Sequence, residues 1–153
     1  YRFVNSQLTE ITSTVEIESI EEAINNSIPY SGVRTHLEQS LHLLSDRKKP
    51  DYRNSIKESI SAVEALVKIV SGNSKATLGE ALKLFEIKGK LHPAFKQSLS
   101  SLYGYTSDAD GIRHSLLEES GLTFIDAKFM LVACTSFVNY IIGKSSELGI
   151  KIK

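Results

Sequence analysis

Asp51-Tyr52-Arg53-Asn54-Ser55-Ile56-Lys57-Glu58-Ser59-Ile60-Ser61-Ala62-Val63-Glu64-Ala65-Leu66-Val67-Lys68-Ile69-Val70 decides the fold of this chain. Ile56, Ile60, Val63, Val67 and Val70 recur at alternating steps of four and three, which keeps apolar side chains on one face of a helix in a bundle. Asp51 stands at the N-cap position behind Pro50, and Ser71-Gly72 ends the run, as a capped helix requires. Upstream, Tyr30-Ser31 opens a helix striped by Val33, Leu37, Leu41 and Leu44, which stops at Ser45-Asp46 and the basic turn Arg47-Lys48-Lys49-Pro50. Before that, Ser19 and Glu22 have the spacing of a capping box and predict a helix from about Ile20 to Asn26. At the start, Arg2-Phe3-Val4 and Leu8-Thr9-Glu10-Ile11 partly alternate around Asn5-Ser6, the pattern of a small hairpin. Residues 1–14 therefore read as an N-terminal extension or hairpin, and 15–153 as the bundle.

Downstream, Thr77 and Glu80 form a second capping-box pattern, leading a helix through Ala81, Leu82 and Phe85 to Gly89. Pro93 suits the first turn of the next helix, which Leu99 and Leu102 carry to Gly104. Tyr105 to Gly111 is rich in turn formers, and a short helix through Leu116 and Leu117 is expected before Gly121. Thr123 caps a last long helix with Ala127, Met130, Cys134, Phe137 and Ile141 on one stripe, ending near Gly143 or Gly149. It is the natural partner of the Asp51 helix. No βαβ alternation interrupts the series, so the expected fold class is all-α: a helical bundle with a small N-terminal β-hairpin.

The 153 residues, 41% hydrophobic and 24% charged, suffice for one globular domain. Eighteen Lys and Arg balance eighteen Asp and Glu, so no global field draws in a polyanion, and any such contact must be local. The most apolar stretch, Ala133 to Ile142, is interrupted by Thr135, Ser136, Asn139 and Tyr140 and falls short of the roughly 20 residues of a membrane helix; no membrane span is expected. A single cysteine, Cys134, forms no internal disulfide, and no leader pattern opens the chain; a reducing, cytoplasmic setting is expected. The chain opens on Tyr1 and its only methionine is Met130, which reads as a piece of a longer protein.

Familiar catalytic patterns are absent from the sequence. Gly72 to Thr77 lacks the second glycine and the adjacent Lys-Ser/Thr pair of a phosphate-binding loop. None of His36, His42, His92 and His114 lies three or four residues from another, so no helical metal pair is expected; neither a metal nor a cofactor is implied. Asp108-Ala109-Asp110-Gly111-Ile112-Arg113-His114 is what remains. Arg113 offers a permanent cation for a phosphate and His114 an imidazole that moves protons near neutral pH, with Asp110 able to orient either. The same residues also make a structural clasp, an aspartate capping the short helix and Arg113 pairing with Glu58 or Glu118. Arg53 and Lys57 share one face of the Asp51 helix and could widen a phosphate surface. Glu58 interrupts the apolar seam between Ile56 and Ile60, where an arginine partner is expected.

These stretches carry a family resemblance. Asp51 to Glu64, Thr77-Leu78-Gly79, Leu102-Tyr103-Gly104-Tyr105 with Asp110 to His114, Ala127 to Leu131 and Phe137-Val138-Asn139-Tyr140 are similar to the HEPN-type helical domain of AbiJ-like abortive-infection proteins. The resemblance covers most of the chain. It implies a C-terminal effector in phage defence, preceded by a separate N-terminal sensor domain, and a bundle that pairs into a homodimer. Many such domains are metal-independent endoribonucleases in which an arginine and a histidine, a few residues apart, meet their counterparts across the dimer. On that pattern Arg113 and His114 are the catalytic pair, and Asp110, Glu58, Arg53 and Lys57 support them or bind phosphate. In this sequence Arg113 and His114 are adjacent. Three readings follow: an RNA-cleaving effector, a non-catalytic module binding RNA, a nucleotide or a protein, and a dimerisation module with a structural turn.

Overall fold

The computed structural model describes residues 1–89, 91–107 and 121–152. Strands β1 (Arg2–Val4) and β2 (Gln7–Thr9) are followed by α1 (Thr14–Asn26), α2 (Ser31–Ser45), α3 (Tyr52–Ser71), α4 (Leu78–Gly89), α5 (Pro93–Ser107) and α6 (Phe124–Glu147). The all-α class with a small hairpin is what the apolar periodicity predicts. The short helix expected through Leu116 and Leu117 lies outside the described residues.

β1 and β2 pair antiparallel with Val4 opposite Gln7, leaving Asn5 and Ser6 as a two-residue turn. Both have positive φ, 43° and 65°, the backbone that matches the twist of paired strands. So short a hairpin is not stable alone. It is held because Val4 and Ile11 are buried in the same apolar core as the helices.

α1 begins earlier than expected. Ser13 is the N-cap, its hydroxyl accepting from the Glu16 N–H at 3.4 Å. Ser13 and Glu16 repeat the spacing of Ser19 and Glu22, so the sequence holds two overlapping start signals and the first is used. Ser19 instead faces α6, 3.2 Å from the Ser136 hydroxyl and 3.5 Å from that of Thr135. α5 also runs past its expected stop at Gly104, to Ser107; a glycine costs a helix about 1 kcal/mol relative to alanine, which lowers helix propensity without ending it.

The other termini follow their local signals. The Asp51 carboxylate accepts from the Asn54 N–H at 3.0 Å, and Gly72 closes α3 in the left-handed region. Thr77 and Glu80 make their reciprocal bonds at the start of α4. Thr123 and Asp126 do the same for α6, which continues through Gly143.

α3 is the central helix. It packs against α2 on one side and α6 on the other, with α1 closing over α6 and α4 and α5 lying against α3. Val33, Leu37, Leu41, Ile56, Leu66, Leu82, Phe85, Leu131, Val138 and Ile141 have no exposed surface; each such side chain contributes on the order of 1.5 to 3 kcal/mol. The 24 residues of α6, with a mean hydropathy of 1.4 over their most apolar stretch, are long and apolar enough to cross a membrane by length and composition. That corrects the shorter apolar stretch read from the sequence. A core helix meets the same criterion, and in this fold the α6 stripe packs on α1, α2 and α3.

Candidate functional site

The polar face of α3 follows from the way its other faces are used. Ile56, Ile60, Val63 and Val67 enter the core. Ser55 and Ser59 meet α2 at Ser40: the Ser40 hydroxyl donates to the Ser55 carbonyl at 2.8 Å, the Ser55 hydroxyl donates to the Ser40 carbonyl at 2.9 Å, and the Ser40 and Ser59 hydroxyl oxygens are 2.7 Å apart. All three serines are fully buried. Small side chains that satisfy one another let two helix backbones approach closely with no polar group stranded.

The register set by those serines carries His36, one turn earlier on α2, to Glu58. Imidazole Nδ1 and carboxylate Oε2 are 2.6 Å apart, with 37% of the histidine side chain and 25% of the glutamate side chain exposed. Among the described residues the partner of Glu58 is therefore a histidine rather than the expected arginine. Nδ1 is engaged, while His36 Nε2 and Glu58 Oε1 have no protein partner among the described residues. An imidazole held through one nitrogen keeps the other available for a second hydrogen bond.

Arg53 and Lys57 are exposed, as expected of residues off the apolar stripe, and neither forms an ion pair among the described residues. Asp110, Arg113 and His114 lie outside the described residues. His36 is the residue that sequence reading missed. It lies 22 positions from Glu58, so only the pairing of Ser40 with Ser55 and Ser59 across two stripes could have pointed to it.

Cys134 is a buried free thiol. Its burial pushes the thiol up to about 12, so it stays protonated and poorly nucleophilic near neutral pH. His92 uses Nδ1 to accept from the Ala94 N–H at the start of α5. Among the described residues no three of His, Cys, Asp and Glu gather closely enough to hold a metal ion. Comparison with protein-family models, curated protein sequences and solved structures finds no match to this chain.

Proposed function

We propose that the chain is an RNA-directed effector domain of the HEPN kind found in AbiJ-like abortive-infection proteins, acting in the cytoplasm as a homodimer without a metal. The observation that supports this reading is the division of labour on α3, which carries the longest part of the resemblance. Its apolar positions hold the bundle, while Arg53 and Lys57 are exposed and Glu58 meets His36 of α2.

In this reading Arg113 holds the scissile phosphate and His114 takes the proton of the neighbouring 2′-hydroxyl. The 2′-oxygen then attacks phosphorus, the bond to the 5′-oxygen breaks, and a 2′,3′-cyclic phosphate remains. The 5′-oxygen leaves with a proton from the opposing pair of the dimer. Asp110, rather than the Glu58 that His36 engages, orients Arg113, and Arg53 and Lys57 extend the phosphate surface.

The test is a cleavage assay on tRNA and total RNA with chelator present, comparing the wild type with His114→Ala and Arg113→Ala. Expected are chelator-resistant cuts with cyclic-phosphate ends that vanish in both variants, whose melting temperatures stay unchanged. Light scattering on the same samples checks the dimer. RNA that is bound but never cut would replace this reading with a non-catalytic binding module, and a lowered melting temperature in Arg113→Ala would point to the structural clasp.

A further inference from the structure

A cleft of about 280 Å³ opens between the hairpin, the end of α2 and the starts of α3 and α6. Its walls include the rings of Tyr1 and Tyr52, the latter braced edge-on by Phe124 at a centroid distance of 6.5 Å. Glu10, Asp46 and Arg47 bring charge to it. The volume lies at the small end of ligand sites, the scale of a single ring system rather than of a folded partner.

The polar groups of the cleft are placed but not used up. Tyr1 donates its hydroxyl to Glu10 Oε1 at 2.7 Å, which leaves Oε2 without a partner among the described residues. Asp46 Oδ1 accepts from the N–H groups of Lys48 and Lys49 at 2.8 and 3.1 Å. Those bonds hold the Asp46 carboxyl below the usual carboxylate range and fix the turn that presents Arg47, Lys48 and Lys49. All three cations are exposed, and none is ion-paired among the described residues. The Arg47 guanidinium lies over the Tyr1 ring, 5.3 Å from its centroid. Ser45, also at the cleft, has a buried hydroxyl oxygen with no hydrogen-bond partner among the described residues.

A ligand that complements this arrangement has a flat ring for the aromatic walls, adjacent N–H donors for a carboxylate, and an anionic group for the basic turn. Guanine presents two neighbouring donors, N1–H and the N2 amino group, on one edge. Adenine and cytosine place an acceptor beside their donor, and uracil flanks its single N–H with carbonyls, so each would aim a lone pair at the Glu10 carboxylate. We propose that this cleft is a binding site for a guanine nucleotide, with the base between Tyr1 and Tyr52, its donor edge on Glu10 and its phosphate on Arg47, Lys48 and Lys49. The site goes beyond the function proposed above, because it needs no cleavage.

The experiment titrates the 153-residue chain with 5′-GMP, AMP, CMP and UMP, following the tyrosine resonances by NMR. GMP is expected to shift Tyr1 and Tyr52 saturably, with a Kd at least about tenfold below those of the other three. Glu10→Gln should bring GMP down to the level of the others, and Arg47→Ala should weaken all four together. Both positions are at the surface, and a melting curve for each variant confirms that it folds. A guanine-containing single-stranded oligonucleotide that displaces GMP identifies RNA as the source of the base; failure to displace it identifies the free nucleotide, and either result retains the site. No saturable shift at millimolar nucleotide overturns the proposal. So does equal binding of all four bases that Glu10→Gln leaves unchanged. His114→Ala is expected to keep full GMP binding, so failure of the cleavage reading and failure of this one are seen separately.

Discussion

Removing the Glu58 carboxylate deprives His36 of its only acceptor among the described residues, yet both side chains remain partly open to water. Water therefore replaces much of what is lost, and pairs of this kind are worth roughly 0.2 to 1 kcal/mol. A double-mutant cycle with His36→Ala and Glu58→Ala, read from urea midpoints, should give a coupling within that range, reduced by added salt. A coupling of about 3 kcal/mol would instead indicate a pair closed off from solvent. Cys134 gives the opposite case. Its thiol is raised to about 12 by burial, while an unfolded cysteine titrates near about 8.5. Above the unfolded value the denatured chain loses a proton that the native chain keeps, so native stability falls as pH rises across that window. Between about pH 8.5 and about pH 10 the urea midpoint should drop by an amount equivalent to roughly 1.5 to 2 kcal/mol. Cys134→Ala should flatten that part of the profile.

At the scale of the elements, local signals and long-range packing separate cleanly. Asp51 with Asn54, Thr77 with Glu80 and Thr123 with Asp126 are pairs three residues apart, so the starts of α3, α4 and α6 were legible from a few neighbouring letters. Thr123→Ala should cost about 1 kcal/mol in a denaturant titration. The hydroxyl and N–H of Thr123 also hold the Asp126 carboxyl below its ordinary value, so that stabilisation is present above about pH 3.9 and is lost as pH falls through the native value. The start of α1 was not legible, because two Ser-x-x-Glu signals overlap there and contact of Ser19 with Ser136, far along the chain, favours the longer helix. The exposed positions of Arg53 and Lys57 followed from the α3 stripe, but the histidine opposite Glu58 did not, since helix register depends on residues in two separate stripes. The Ser40, Ser55 and Ser59 seam sets that register. Ser59→Leu should overpack it and destabilise the fold by about 1 to 3 kcal/mol, read from the melting curve. The His36 imidazole resonances should shift in the same variant as the α2 and α3 backbones move apart.

For the whole molecule, eighteen cations cancel eighteen anions, and a neutral chain that binds RNA has to do so through a local cluster. Arg47, Lys48 and Lys49 on the turn between α2 and α3, with Arg53 and Lys57 on the first turns of α3, form such a cluster along one continuous stretch. All five are exposed and none is ion-paired among the described residues. The cleft between hairpin, α2, α3 and α6 lies at the same end of α3, joining residues as distant as Tyr1 and Phe124. That juxtaposition was hidden in the sequence because it exists only once the hairpin has docked on the bundle. The salt dependence of RNA binding measures how many of these cations act. Each phosphate neutralised on a single strand contributes about 0.7 to the slope of log K against log salt. Five cations acting together therefore give a slope of about −3.5, and each alanine substitution should make it shallower by about 0.7. If Lys48→Ala and Lys49→Ala flatten the slope while Arg53→Ala and Lys57→Ala leave it unchanged, RNA runs over the turn and into the cleft. The reverse pattern would put it along α3, beside His36 and Glu58.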